Sequence, residues 1–124
     1  MKAWIGAVVL VGALASGAVM AKARDGNELL SQCQTAIRAN PNVDPSEALD
    51  AGLCLGLVQG VRQTMEIYAE VLPKEERTCI PEGMTNGQGM RVVVKYLEDH
   101  PKTLHDSSTV LTMAAYRDAY PCPK

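Results

Sequence analysis

The chain has 124 residues, a formal net charge of −2, no phenylalanine and a single tryptophan. The acidic balance argues against a nucleic-acid binder, which needs a basic face to neutralise phosphates. So few rings leave no stacking platform for bases or sugars, and Tyr68, Tyr96, Tyr116 and Tyr120 fall to core or interface use by their helical context.

In chain order, Lys2 supplies one positive charge and the stretch Ile5 to Val19 then lacks charged side chains. Small residues follow, and cleavage after Ala21 (Val19 at −3) or after Ala23 (Ala21 at −3) fits the small-x-small rule of signal peptidase. A permanent anchor is the rival reading. It is disfavoured because a spanning helix needs roughly 20 apolar residues, and Gly6, Gly12 and Gly17 weaken the run further. Residues 1–21 therefore read as a signal peptide, and the expected location is the periplasm, with no stable membrane insertion after cleavage. What remains, 22–124, is roughly 100 residues, enough for one modest domain.

Asn27 is placed to cap a first helix starting at Glu28, with Leu29, Leu30, Cys33 and Ile37 on one side and Asn40-Pro41 ending it. The second helix opens on Asp44-Pro45-Ser46-Glu47. Asp44 caps, Pro45 takes the first helical position and Glu47 completes a capping box. It should run to about Leu72 and stop at Pro73. Inside it, Gly52, Gly56 and Gly60 recur every four residues. Each costs about 1 kcal/mol against alanine in a helix interior, so the stripe implies close approach of a neighbouring helix, with a flexible stretch as the bland alternative.

Residues 73–84 form a charged loop punctuated by proline and glycine and carrying Cys79. Thr85 and Gln88 repeat the capping-box spacing before Met90, Val93, Val94 and Leu97. That third helix ends at His100-Pro101. A fourth begins near Asp106 or Ser107, offers Val110, Leu111, Met113, Ala114 and Tyr120, and gives way to Pro121-Cys122-Pro123. The expected fold class is all-α, a small disulfide-stapled antiparallel bundle of about four helices with short connections.

Four cysteines in a short exported chain read as two disulfides, with three pairings open. A zinc site is the competing reading, but no pair shows ligand spacing. The antiparallel topology sorts the pairings. Cys33 lies near the end of the first helix and Cys54 near the start of the second, while Cys79 and Cys122 each follow a helix that ends at the other pole. Cys33–Cys54 with Cys79–Cys122 satisfies the roughly 6 Å Cα separation that a disulfide requires.

No catalytic constellation is visible. A serine nucleophile motif, a phosphate loop and HExxH are all absent. His100 and His105, with Asp99 and Asp106 beside them, suit helix ends and turns better than a metal site. Neither a catalytic residue nor a cofactor nor a metal is expected.

The assembled motifs resemble the Rap/Tai family of type VI secretion immunity proteins across the exported chain. The resemblance rests on Asp25-Gly26-Asn27 before Leu29, Leu30 and Cys33, and on Gly52, Cys54, Gly56, Gly60 and Val61. It continues with Cys79-x-Pro81, Gln88, Val93-Val94-x-Tyr96-Leu97, His100-Pro101, Leu104-His105 and Tyr120-Pro121-Cys122. It implies a periplasmic helical protein, often a homodimer and not an enzyme, that binds a peptidoglycan-cleaving amidase effector and occludes its active site. On that implication the 73–88 segment is the inserted element, with Lys74, Glu75, Glu76, Arg77, Glu82 and Asn86 as partner-binding residues. The alternative is a general periplasmic stress or chaperone-like helical protein, similar to the Hde-type acid chaperones, which carry one disulfide.

Overall fold

The computed structural model describes residues 24–38 and 40–124. The expected signal peptide and its two candidate cleavage sites lie outside them. The described residues form α1 (Gly26–Ile37), α2 (Pro45–Ala69), α3 (Asn86–Asp99) and α4 (Ser108–Ala119), with short 3-10 helices at Lys74–Glu76 and Pro101–Thr103. No strand occurs among them, and only isolated bridges join Asp25 to Ser107 and Thr78 to Pro121. The protein is an all-α bundle stapled by Cys33–Cys54 and Cys79–Cys122, with Cα–Cα separations of 5.1 Å and 4.9 Å.

Local chemistry sets the helix starts. At α2, the Asp44 carboxylate accepts from the Ser46 and Glu47 backbone N–H groups, and the Glu47 side chain accepts from the Asp44 N–H. Hydrogen bonds from the Ser46 hydroxyl and the Glu47 backbone hold the Asp44 carboxyl below the usual aspartate range. Thr85 and Gln88 form the same reciprocal cap at α3.

The first helix differs from expectation. It starts at Gly26, two residues before Glu28, and its cap is Asp25 instead of Asn27. The reason is tertiary. The Gly26 and Asn27 N–H groups donate to Asp106 and Leu104 carbonyls (3.1 and 3.2 Å), and the Asn27 side chain also donates to Leu104. Donors that a helix start leaves without an intrahelical partner are thereby taken up by the turn before α4. At the far end α2 stops at Ala69, short of Leu72, and the chain turns through Val71 and Leu72 N–H groups that both reach the Tyr68 carbonyl.

The core draws on all four helices. Leu29 and Cys33 come from α1, Cys54 and Val58 from α2, Val93 and Leu97 from α3, and Leu111 and Tyr116 from α4, all buried. The Cys33–Cys54 bridge lies within this core. Tyr116 is fully buried beneath Gly89, where a Cβ would come within 2.6 Å of its hydroxyl, and it donates to the Val58 carbonyl at 3.4 Å.

Burial pushes the Tyr116 phenol up to about 12, with Arg62 opposing weakly. A folded-state value above the unfolded one gives stability that is whole below about pH 10 and is lost as pH rises toward 12. Two pH units correspond to about 2–3 kcal/mol. Urea unfolding at pH 8 and pH 11 should show about half of that loss, about 1.4 kcal/mol, largely abolished in Tyr116→Phe. An equal loss in the variant would contradict it.

Among the described residues no helix packs on the glycine stripe: a Cβ at Gly52, Gly56 or Gly60 would meet nothing within 4 Å. The row of α2 that faces the core is Cys54, Val58 and Val61, a different side of the helix, and the bridge to Cys33 holds it there.

Candidate functional site

The segment between α2 and α3 is held at several points along its length. Pro73 cannot continue a helix, and the 3-10 turn Lys74–Glu76 follows. The Arg77 guanidinium donates through Nε to the Leu72 carbonyl at 2.8 Å, closing that turn from below. Next, the Cys79 N–H donates to the Tyr120 carbonyl at 2.9 Å, and the side chain of Cys79 is bonded to Cys122. Ile80 packs against the core and Met84 is buried in it. Gly83 takes φ +77°, a left-handed conformation in which a side chain is strained.

A second clamp comes from α2. Arg62 is paired with Glu66 and donates to the Met84 carbonyl at 3.5 Å and to the Asn86 side-chain oxygen at 3.3 Å. The six residues expected to meet a partner therefore divide. Arg77 and Asn86 are half-buried and hold the segment's shape, while Lys74, Glu75, Glu76 and Glu82 stand exposed. The result is a short polar tip, tied down at both ends and presenting more negative than positive charge. Beside it, an open depression of about 790 Å³ reaches Arg117 and the tail from Pro121 to Lys124.

The profile of the Rap1a immunity proteins matches residues 25–122, nearly all of the described chain. The chain belongs to that family. No curated protein and no solved structure matches it.

In this immunity protein the histidines are structural or solvated. The His100 ring stacks on Tyr96 with centroids 4.0 Å apart, and its Nδ1 lies 2.7 Å from the Tyr96 carbonyl. His105 is exposed and sits 3.4 Å from the Asp106 carboxylate. Among the described residues no group of three or more His, Cys, Asp or Glu side chains could hold a metal ion. No helix among them is long and apolar enough to cross a membrane.

The sequence reading missed the surface on the other side of α2. An apolar groove of about 570 Å³ runs between α2 and α4, floored by Gly56 and Gly60 and bordered by Thr64, Tyr68, Met113 and Arg117. Ile67 is 71% exposed and Val71 75%. The glycine stripe is the signal for it in the sequence, since it marks a side of α2 open to close approach without saying what approaches. Arg62 gave no signal, because a helical Arg with Glu four residues on looks like an ordinary surface pair.

Proposed function

We propose that this family member is a periplasmic immunity protein that blocks a peptidoglycan amidase effector of a type VI secretion system, acting as a homodimer. The observation that carries the reading, beside the family membership, is the 73–84 tip. It is polar, exposed at Lys74, Glu75, Glu76 and Glu82, and fixed by Arg77, the Cys79–Cys122 bridge and buried Met84. A protrusion that is ordered before binding loses little conformational freedom on entering a cleft, so more of its contact energy appears as affinity. Inhibition of this kind is occlusion. The tip fills the effector's active-site cleft and keeps the cell-wall peptide out, and the inhibitor itself needs no reactive group. Export through the signal peptide would place it where such an effector arrives.

The reading requires a type VI peptidoglycan amidase encoded beside this gene, and isothermal titration against that purified amidase tests it. Tight one-to-one binding per protomer is expected, and E75K/E76K/E82K should weaken it by at least about 100-fold, since reversing interfacial charges costs several kcal/mol. Circular dichroism should be unchanged, because all three carboxylates are exposed. Unaltered affinity in the triple variant would remove the tip from the interface.

A further inference from the structure

We infer that Cys79–Cys122 is a site of thiol–disulfide exchange: a dithiol reductant opens it in the folded protein, spares Cys33–Cys54, and unfastens the polar tip. The effect on amidase binding rests on the occlusion proposed above, whereas the chemistry at the bridge does not.

The two bridges differ in what can reach them. Cys33 and Cys54 are both 0% exposed and belong to the core cluster with Leu29 and Val58. Exchange requires a thiolate to touch a disulfide sulfur, so an enclosed bridge is inert until the helices separate. Cys79 is exposed and Cys122 half-buried. That bridge lies at the surface, where the segment after α2 meets the tail after α4.

Charge favours opening there. Cys122 lines the open depression with Lys74, Arg77, Arg117 and Lys124, four cations against the carboxylates of Glu75 and Glu76. Attack on the Cys79 sulfur expels Cys122 as a thiolate, and cations around a leaving thiolate stabilise it. In the first step one thiolate of the reductant bonds to the Cys79 sulfur as the bond to Cys122 breaks. In the second, its other thiolate displaces Cys79 and closes the reductant into a disulfide. Two electrons pass from the reductant to the bridge, and the two protein thiolates take up the protons that its thiols release.

The same bridge fastens the tip. Across the described residues 73–79, the hydrogen bonds of Glu76 and Arg77 return to Pro73, Lys74 and Leu72, within the stretch or next to it. Only the Cys79 N–H reaches another part of the chain, at the Tyr120 carbonyl, beside the isolated bridge of Thr78 to Pro121. Without the S–S bond those backbone contacts alone join the stretch to the tail, and both gain freedom. The Arg62 clamp on Met84 and Asn86 lies beyond Gly83 in sequence and keeps the start of α3 in place. Reduction therefore loosens 73–79 and the tail while the helices stay packed.

The test begins with the purified chain, both bridges formed. It is treated without denaturant with dithiothreitol at about pH 8, where a small thiol is partly thiolate, then alkylated with iodoacetamide and desalted. Peptide mass spectrometry should find the label on Cys79 and Cys122 and not on Cys33 or Cys54. Circular dichroism should be unchanged, and amide exchange at residues 74–79 should be at least about tenfold faster, with α1 and α3 unaltered. The alkylated chain should bind the amidase at least about tenfold more weakly, because a loosened tip must be ordered on binding, and C79A/C122A should match it. Label on all four cysteines, label on none, or unchanged exchange at 74–79 after opening would overturn the inference, and these readouts need no amidase. Full affinity in both the alkylated chain and C79A/C122A also overturns it if E75K/E76K/E82K weakens binding. If that triple variant binds normally as well, the occlusion reading is what fails, and the labelling alone judges the bridge.

Discussion

Replacing Cys33 and Cys54 together by alanine should lower the unfolding free energy by about 4–5 kcal/mol. The bridge spans 21 positions, and closing a loop of that length removes about 3 kcal/mol of denatured-state entropy. The rest comes from the core. Both cysteines are fully buried among Leu29 and Val58, so removing two sulfurs empties volume that the surrounding helices cannot refill, a cost of about 1–2 kcal/mol. For a domain whose total stability is about 5–15 kcal/mol this is a large fraction, and the thermal midpoint should drop by about 20 °C. The other bridge provides the comparison. Cys79–Cys122 closes a longer loop, with a sequence separation of 43, and chain entropy alone would rank it higher, at about 4 kcal/mol. Cys79, however, is exposed, so C79A/C122A empties no comparable core volume and should cost less, about 3–4 kcal/mol. Urea titrations of both double variants decide between the two accounts. A larger loss for C79A/C122A would mean that loop length outranks burial here.

The second large effect is expected at Gly26. A Cβ there would run into the Leu111 side chain and lie 2.9 Å from the Leu104 carbonyl oxygen. The leucine side chain can rotate away, but the carbonyl cannot yield, because it accepts from the Asn27 N–H and side chain that join α1 to the turn before α4. Gly26→Ala should therefore cost about 3 kcal/mol, at the upper end of what overpacking a well-filled site does. Gly52→Ala is the control. It meets nothing within 4 Å and should be neutral or gain up to about 1 kcal/mol from helix propensity. Thermal melts of the two variants give the comparison directly. A Gly26→Ala midpoint within a few degrees of wild type would mean that the contact between α1 and the 104–108 turn is softer than its geometry indicates.

Much of the architecture was legible because it is written in local rules. Asp44-Pro45-x-Glu47 and Thr85-x-x-Gln88 are reciprocal caps whose donors and acceptors lie within three residues of each other, so spacing alone reveals them. Proline at 41, 73 and 101 limits helices by removing a donor and crowding the preceding residue. The cysteine pairing followed from helix order and the short reach of a disulfide. The family, too, was readable from scattered motifs, and the profile match over residues 25–122 agrees with it.

What the sequence left open turned on partners distant along the chain. In Asp25-Gly26-Asn27 two side chains are competent caps, and the choice of Asp25 was made by carbonyls of Leu104 and Asp106, nearly 80 residues away. Helix α2 has two apolar sides, one with Cys54, Val58 and Val61 and one with Leu49, Leu53 and Ile67, and periodicity reports both equally. Only the tertiary structure decided which turned inward, because the bridge to Cys33 fixes the rotation of α2 about its axis and thereby turns the glycines to solvent. Arg62 became a clamp on Asn86 for the same reason. Local hydrogen bonding and backbone sterics are determined within a few residues, and so the sequence by itself determined where the helices lie. The direction each helix faces depends on what the whole chain can bury at once.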